Sequence, residues 1–206
     1  ILFLLLLLLL GFGPFREFLV NPSWKAAQGL QTVGFGEGLH VHIKELPVSY
    51  AKTQDIIARL WDQLQPKLMV HLGVSRGLRG LVLEQTGRNG GYSGCCVTGG
   101  PERLDSLVDM RTLCRQCKQR GMDIVYSRDA GRYLCDFAYY CSLYRGQRRA
   151  ALIHVPPQGP SGPRRLCSPL KALLLLTHTN KTLFIYTHAF QSRDFFVMAA
   201  ILEPSG

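Results

Sequence analysis

A cysteine and a histidine stand in this chain where a thiol nucleophile and its proton partner are expected. The cysteine is Cys135, within Asp129-Ala130-Gly131-Arg132-Tyr133-Leu134-Cys135-Asp136-Phe137, and the histidine is His154, within Ala151-Leu152-Ile153-His154-Val155-Pro156-Pro157. The first run places the cysteine in the opening turn of a helix, just after a glycine turn. The second places the histidine near the end of a short apolar strand. A cysteine at a helix N-terminus feels the positive end of the backbone dipole, which favours the thiolate. A nearby histidine exchanges protons with it. Thiolate attack on an amide carbonyl needs an ionised sulfur, a proton donor for the leaving amine and a group that orients the donor. Cys135 and His154 fill the first two roles. Read singly, each also has a plainer role, since free cysteines are commonly buried and strand-end histidines commonly sit in cores or loops.

Helices and strands in alternation must position this pair. The apolar run Ile1–Leu10 suits the buried first strand of a parallel sheet. A signal-peptide core also fits ten apolar residues, but no basic stretch or small-residue cleavage site accompanies them, and they are too few to span a bilayer. A membrane-targeting role stays open, because leucine is a poor strand former. The chain starts at Ile1 rather than Met, which reads as part of a longer protein. Pro22 to Gln31 reads as a helix with Asn21 as N-cap. His40 to Leu46 alternates as a strand, and Ser49 to Leu64 is an amphipathic helix. Lys67 to Leu72 and Leu81 to Glu84 read as strands, Leu104 to Arg120 as mainly helix, ended by Gly121, and Asp123 to Tyr126 as a strand. Arg132 to Tyr144 is a helix and Ala150 to Val155 a strand. Strands alternating with helices predict an α/β fold: a three-layer α/β/α sandwich with a mostly parallel central sheet.

A chain of 206 residues suits one domain with a sizeable core. Residues 1–157 read as that domain, and 158–206 as a divergent C-terminal tail whose composition allows poor order. In the tail, Pro156 to Pro169 is loop-like, and Leu170–Leu176, Thr182–Tyr186 and Phe195–Leu202 are apolar segments of open type. The net charge of +10 comes from scattered residues and the doublets Arg148-Arg149 and Arg164-Arg165. With no basic stripe interleaved with aromatics, nucleic-acid binding is not expected. Seven cysteines without regular spacing argue against a secreted disulfide framework and for a reducing, cytoplasmic setting. Cys114 and Cys117 form a C-x-x-C and Cys95-Cys96 an adjacent pair, but zinc asks for a second matched pair or added histidines. Cys114 and Cys117 are read as sharing one helix face. His40 and His42 share a strand face, for which solvent exposure is preferred to metal binding. Gly11-Phe12-Gly13 lacks the third glycine of a dinucleotide fingerprint. No metal and no cofactor is expected.

Four further motifs extend the pattern: Gly11-Phe12-Gly13-Pro14-Phe15, Asn21-Pro22-Ser23-Trp24, His71-Leu72-Gly73-Val74-Ser75 and Leu81-Val82-Leu83-Glu84. With the Cys135 and His154 segments, they resemble the pyroglutamyl-peptidase I family, cytosolic cysteine peptidases that remove N-terminal pyroglutamate. The resemblance runs from Gly11 to Pro157. It implies that Glu84 holds the imidazole of His154 and completes a triad with Cys135. It implies hydrolysis of pyroglutamyl–peptide bonds through a thioester acyl-enzyme, with peptides as partners and no stable membrane span. Pyroglutamate is a neutral five-membered lactam, so its site should be an apolar slot with a few hydrogen bonds. By the resemblance, Phe12, Phe15, Val74 and Tyr133 line that slot. The chain departs from the family in three places. It is shorter between Gly94 and Cys95, more basic over Ser75-Arg76-Gly77-Leu78-Arg79-Gly80, and lacks the long amphipathic helix after Pro157. These departures predict reduced activity. The alternative is a catalytically weak or inactive relative that binds pyroglutamyl termini.

Overall fold

The computed structural model describes residues 5–35, 39–75, 77, 79–92, 96–157, 167–168 and 170–175. The elements run β1 (Leu5–Phe12), α1 (Pro22–Val33), β2 (Leu39–Leu46), α2 (Tyr50–Leu64), β3 (Leu68–Val74), β4 (Leu81–Glu84), β5 (Thr86–Arg88), β6 (Arg103–Asp105), α3 (Met110–Gln119), β7 (Ile124–Ser127), α4 (Leu134–Arg145) and β8 (Ala150–Val155). Six strands form the central sheet in the order β2-β1-β3-β8-β4-β7. Its neighbours pair parallel except β4 with β8. This is the expected mostly parallel α/β sandwich.

From Leu5 onward the leucine run is a strand because both of its faces are covered. Leu7 and Leu9 join one core cluster with α1 and α3 residues such as Leu30 and Leu113. Leu8, Leu10 and Phe12 point the other way, into a cluster with Ile57 and Trp61 of α2 and Phe137 of α4. A central parallel strand buried on both sides needs apolar residues at every position, which outweighs the weak strand preference of leucine. Among the described residues, no helix is long and apolar enough to cross a membrane.

Side chains of the first motifs fix the turn that leaves β1. Asn21 caps α1 by accepting from the Ser23 N–H at 3.0 Å and donates to the Gly13 carbonyl at 3.0 Å. Ser23 Oγ accepts from the Phe12 N–H at 3.0 Å. The turn carrying Phe12 to Phe15 is thereby tied to the start of α1.

One boundary is moved. Leu104 to Arg120 is mainly helix, as expected, but its first residues are not: β6 pairs with β5, and α3 starts at Met110 with Asp109 as its cap. Asp105 accepts from Thr86 Oγ1 at 2.6 Å, and Ser106 Oγ donates to the Ala150 carbonyl at 2.5 Å. Such bonds offer polar side chains an alternative to helix. In the tail, Cys167, Leu170, Leu173 and Leu174 are buried in the cluster shared with α1. The shortened stretch at Ser93–Cys95 and the apolar segments Thr182–Tyr186 and Phe195–Leu202 lie outside the described residues.

Candidate active site

The carboxyl ends of β1, β3 and β8 and the start of α4 meet at one edge of the sheet, where open α/β folds place their sites, and Glu84 reaches it from the antiparallel β4. His154 is the penultimate residue of β8. Glu84 closes β4 and lies opposite Leu152, so it is the diagonal neighbour of His154 on the same sheet face. The pairing is direct: His154 Nδ1 and Glu84 Oε1 are 2.9 Å apart, and both side chains are buried. A carboxylate there makes Nδ1 the donor and leaves Nε2 facing the thiol.

Cys135 arrives from above. The chain turns at Gly131, whose φ of 84° belongs to the left-handed region, and α4 begins at Leu134. Cys135 is the second residue of that helix, as expected, and is half-buried. Its N-cap, Tyr133, makes no side-chain capping bond, and the first N–H groups of α4 have no partner within the helix itself. The helix is held down by Tyr139, which donates to the Glu84 carbonyl at 2.9 Å, and by a 2.7 Å hydrogen bond between Ser142 Oγ and His71 Nε2.

Gly73 is the position on which thiol and imidazole converge. It pairs with His154 across β3 and β8. A methyl group placed on it would lie 2.7 Å from His154 Cδ2, 3.0 Å from Nε2 and 2.9 Å from Cys135 Sγ. Gly73→Ala is therefore expected to push the pair apart and cut kcat by about 10²-fold, since catalysis is sensitive to displacements of about 1 Å. Steady-state kinetics beside a thermal melt checks this, and unchanged turnover would remove Gly73 from its spacer role.

The electrostatics come from the same contacts. Burial pulls the His154 pKa down, but the hydrogen bonds with Cys135 and Glu84 and their negative charges outweigh it and raise the value to about 9. Because this folded value exceeds the unfolded one, the proton on His154 stabilises the native state fully below its ordinary pKa. That contribution is lost as pH rises through about 9.

Asp136, which carries no motif signal in the sequence, is fully buried directly after Cys135. Burial raises its pKa to about 6 against the stabilising bonds from Tyr92, the Arg88 N–H and nearby Arg132. Tyr92 Oη donates to it at 2.5 Å and the Arg88 N–H at 3.3 Å, which clamps β5 to the first turn of α4. A charged residue inside the apolar stretch Tyr133–Leu143 was the one sign available in the sequence.

The three residues open into a cleft of about 560 Å³. Phe12, Phe15, Val74 and Tyr133, the four expected slot residues, all line it beside Glu84, Cys135 and His154. Phe12 is buried at its base, and Phe15 and Tyr133 are exposed at its rim. Phe18, Val48, Tyr50 and Arg16 also line the cleft and were not anticipated. They come from loops and a helix start whose lengths carry no cleft signal. His40 and His42 are exposed on β2, as expected, and Cys114 and Cys117 are buried together on α3.

A thiol, an imidazole and a carboxylate in series at the carboxyl edge of an α/β/α sandwich have the form of a cysteine peptidase. The profile of the pyroglutamyl peptidase family matches residues 5–90. Pyroglutamyl-peptidase 1 of Rattus norvegicus is 44% identical over 178 residues, covering 80% of this chain and 85% of that protein. The pyroglutamyl-peptidase 1-like protein of Homo sapiens is 40% identical over 141 residues, covering 62% of this chain and 72% of that protein. A mutant pyrrolidone carboxyl peptidase from Pyrococcus furiosus superposes with a TM-score of 0.76 at 20% identity, covering 84% of this chain and 98% of that one. The chain belongs to the pyroglutamyl peptidase family.

Proposed function

We propose that this chain cleaves the bond between an N-terminal pyroglutamyl group and the next residue of a peptide. The observation that carries the reading is the Glu84–His154–Cys135 series opening into a largely apolar cleft. Phe12, Phe15, Val74 and Tyr133 enclose the lactam ring, which brings no charge to be matched. The Cys135 thiolate attacks the lactam-bearing carbonyl, and the first-turn N–H groups of α4 donate to the oxyanion that develops. The imidazolium of His154 then protonates the leaving amine, releasing the shortened peptide and a pyroglutamyl thioester on Cys135. Water, deprotonated by the now neutral His154, attacks the thioester. Pyroglutamate leaves and the thiolate–imidazolium pair is restored. Glu84 keeps Nδ1 protonated throughout and balances the imidazolium charge.

The assembled triad and cleft speak against a binding-only role. A cytoplasmic setting is supported by the free thiols of Cys114, Cys117, Cys135 and Cys141. The test is release of coumarin from a pyroglutamyl-coumarin amide. Release is expected, and iodoacetamide should abolish it. The rate should fall as pH rises through about 9, because His154 then loses the proton it must donate. No release, or release insensitive to the alkylating agent, would overturn the reading.

A further inference from the structure

The cleft is larger than the lactam it is proposed to hold. About 560 Å³ leaves much of its volume to the second residue of the substrate. The charge facing that space is uneven. Of the two carboxylates in the lining among the described residues, Glu84 is engaged by His154. The other, Asp129, bonds Arg132 at 2.9 Å and lies 3.8 Å from Arg88. Among the described lysines and arginines, Arg16 alone lines the cleft, and it makes no ion pair with any described residue. Glu17, its exposed neighbour, does not line the cleft.

Arg16 is also held in place. The backbones of Phe15 and Phe18 exchange hydrogen bonds at 3.2 and 3.0 Å, closing a two-residue turn. Arg16 is the first residue of that turn, with φ 52°, in the left-handed region that glycine or asparagine usually occupies. Its guanidinium carbon sits 5.0 Å from the centroid of the Phe15 ring. The cation therefore rests on the ring of a residue proposed to flank the lactam, within the cleft lining. A costly backbone conformation that delivers a charge to a cleft rim points to a use for that charge.

We propose that Arg16 selects the second residue of the substrate by binding a carboxylate. Two sources present one there: the side chain of an acidic second residue, and the terminal carboxylate of a pyroglutamyl dipeptide. The inference rests on the peptidase function proposed for the same cleft.

The experiment measures kcat/KM for pyroglutamyl-alanine amide, pyroglutamyl-glutamate amide, pyroglutamyl-alanine free acid and pyroglutamyl-lysine amide. The enzyme is the full chain and its Arg16→Gln and Arg16→Glu variants, at low salt and at about 1 M salt. At low salt at least one carboxylate substrate should exceed the neutral amide by about three- to tenfold, as a partly exposed charge-assisted pair allows. Which of the two does so identifies the source. High salt should shrink the advantage, Arg16→Gln should bring the ratio toward one, and Arg16→Glu should shift the preference to the lysine substrate. Equal rates on charged and neutral substrates in the native chain, or a carboxylate advantage that survives Arg16→Gln, overturns the role of Arg16. Hydrolysis of the neutral amide in those cases leaves the peptidase function standing. No hydrolysis of any substrate overturns both.

Discussion

Cys135→Ser is expected to lower kcat/KM on a pyroglutamyl substrate by at least about 10⁴-fold, a loss of roughly 5 kcal/mol of transition-state stabilisation. The serine hydroxyl keeps its proton at neutral pH and is a far weaker nucleophile than a thiolate beside an imidazolium. The melting temperature should hardly change. Position 135 is half-buried, oxygen occupies less space than sulfur, and a hydroxyl still bonds with His154. Coumarin release and a thermal melt on one preparation separate the two effects. Residual activity above about one per cent of the native rate would take the nucleophile's role from Cys135.

His154→Ala should be almost as damaging to turnover, but it carries a structural cost that Cys135→Ser does not. His154 is the hydrogen-bond partner of Glu84 Oε1, and Glu84 Oε2 is already buried without one. Removing the imidazole strands the carboxylate, at a cost of about 1–3 kcal/mol of stability. Glu84→Gln should be milder, with a loss of about 10- to 10²-fold in kcat. Its amide oxygen still accepts from Nδ1 but cannot balance the imidazolium charge. Because the groups act as a unit, Cys135→Ser combined with His154→Ala should be little worse than either alone. Rates normalised to the folded fraction for the single and double variants test this. Independent, multiplicative losses would contradict the triad.

Much of the site was legible because its determinants are local. Gly131 and the change from polar to apolar residues after it mark the start of α4, which puts Cys135 in the first turn. The six-residue run ending in Val155, apolar but for His154, marks β8 and places His154 near its end. The leucine run reads as a strand buried on both faces, and β1 is one. The resemblance carried Glu84, Phe12, Phe15, Val74 and Tyr133, and the fold brings them to the cleft that holds Cys135 and His154.

Local reading failed where a partner lies far along the chain. Asp105 and Ser106 sit in what reads as helix, yet they bond Thr86 and Ala150, 19 and 44 residues away. Those bonds drew the segment into β6 and moved the start of α3 to Met110. Asp136 gave little local sign of its burial, which depends on Tyr92 and Arg88, 44 and 48 residues distant. Gly73 has a spacer's role only because β3 lies beside β8 and beneath Cys135.

By itself the sequence determined the residue types, the helix onset, the strand ends and the family. These depend on backbone preference, side-chain periodicity and motif, all carried within a few residues. Only the tertiary structure decided that Glu84 meets His154 at 2.9 Å across 70 residues, that burial is outweighed there and the imidazole holds its proton, and that Arg16 overlooks the cleft. Distances, desolvation and charge pairing arise between elements brought together by the sheet order, and no local pattern encodes that order.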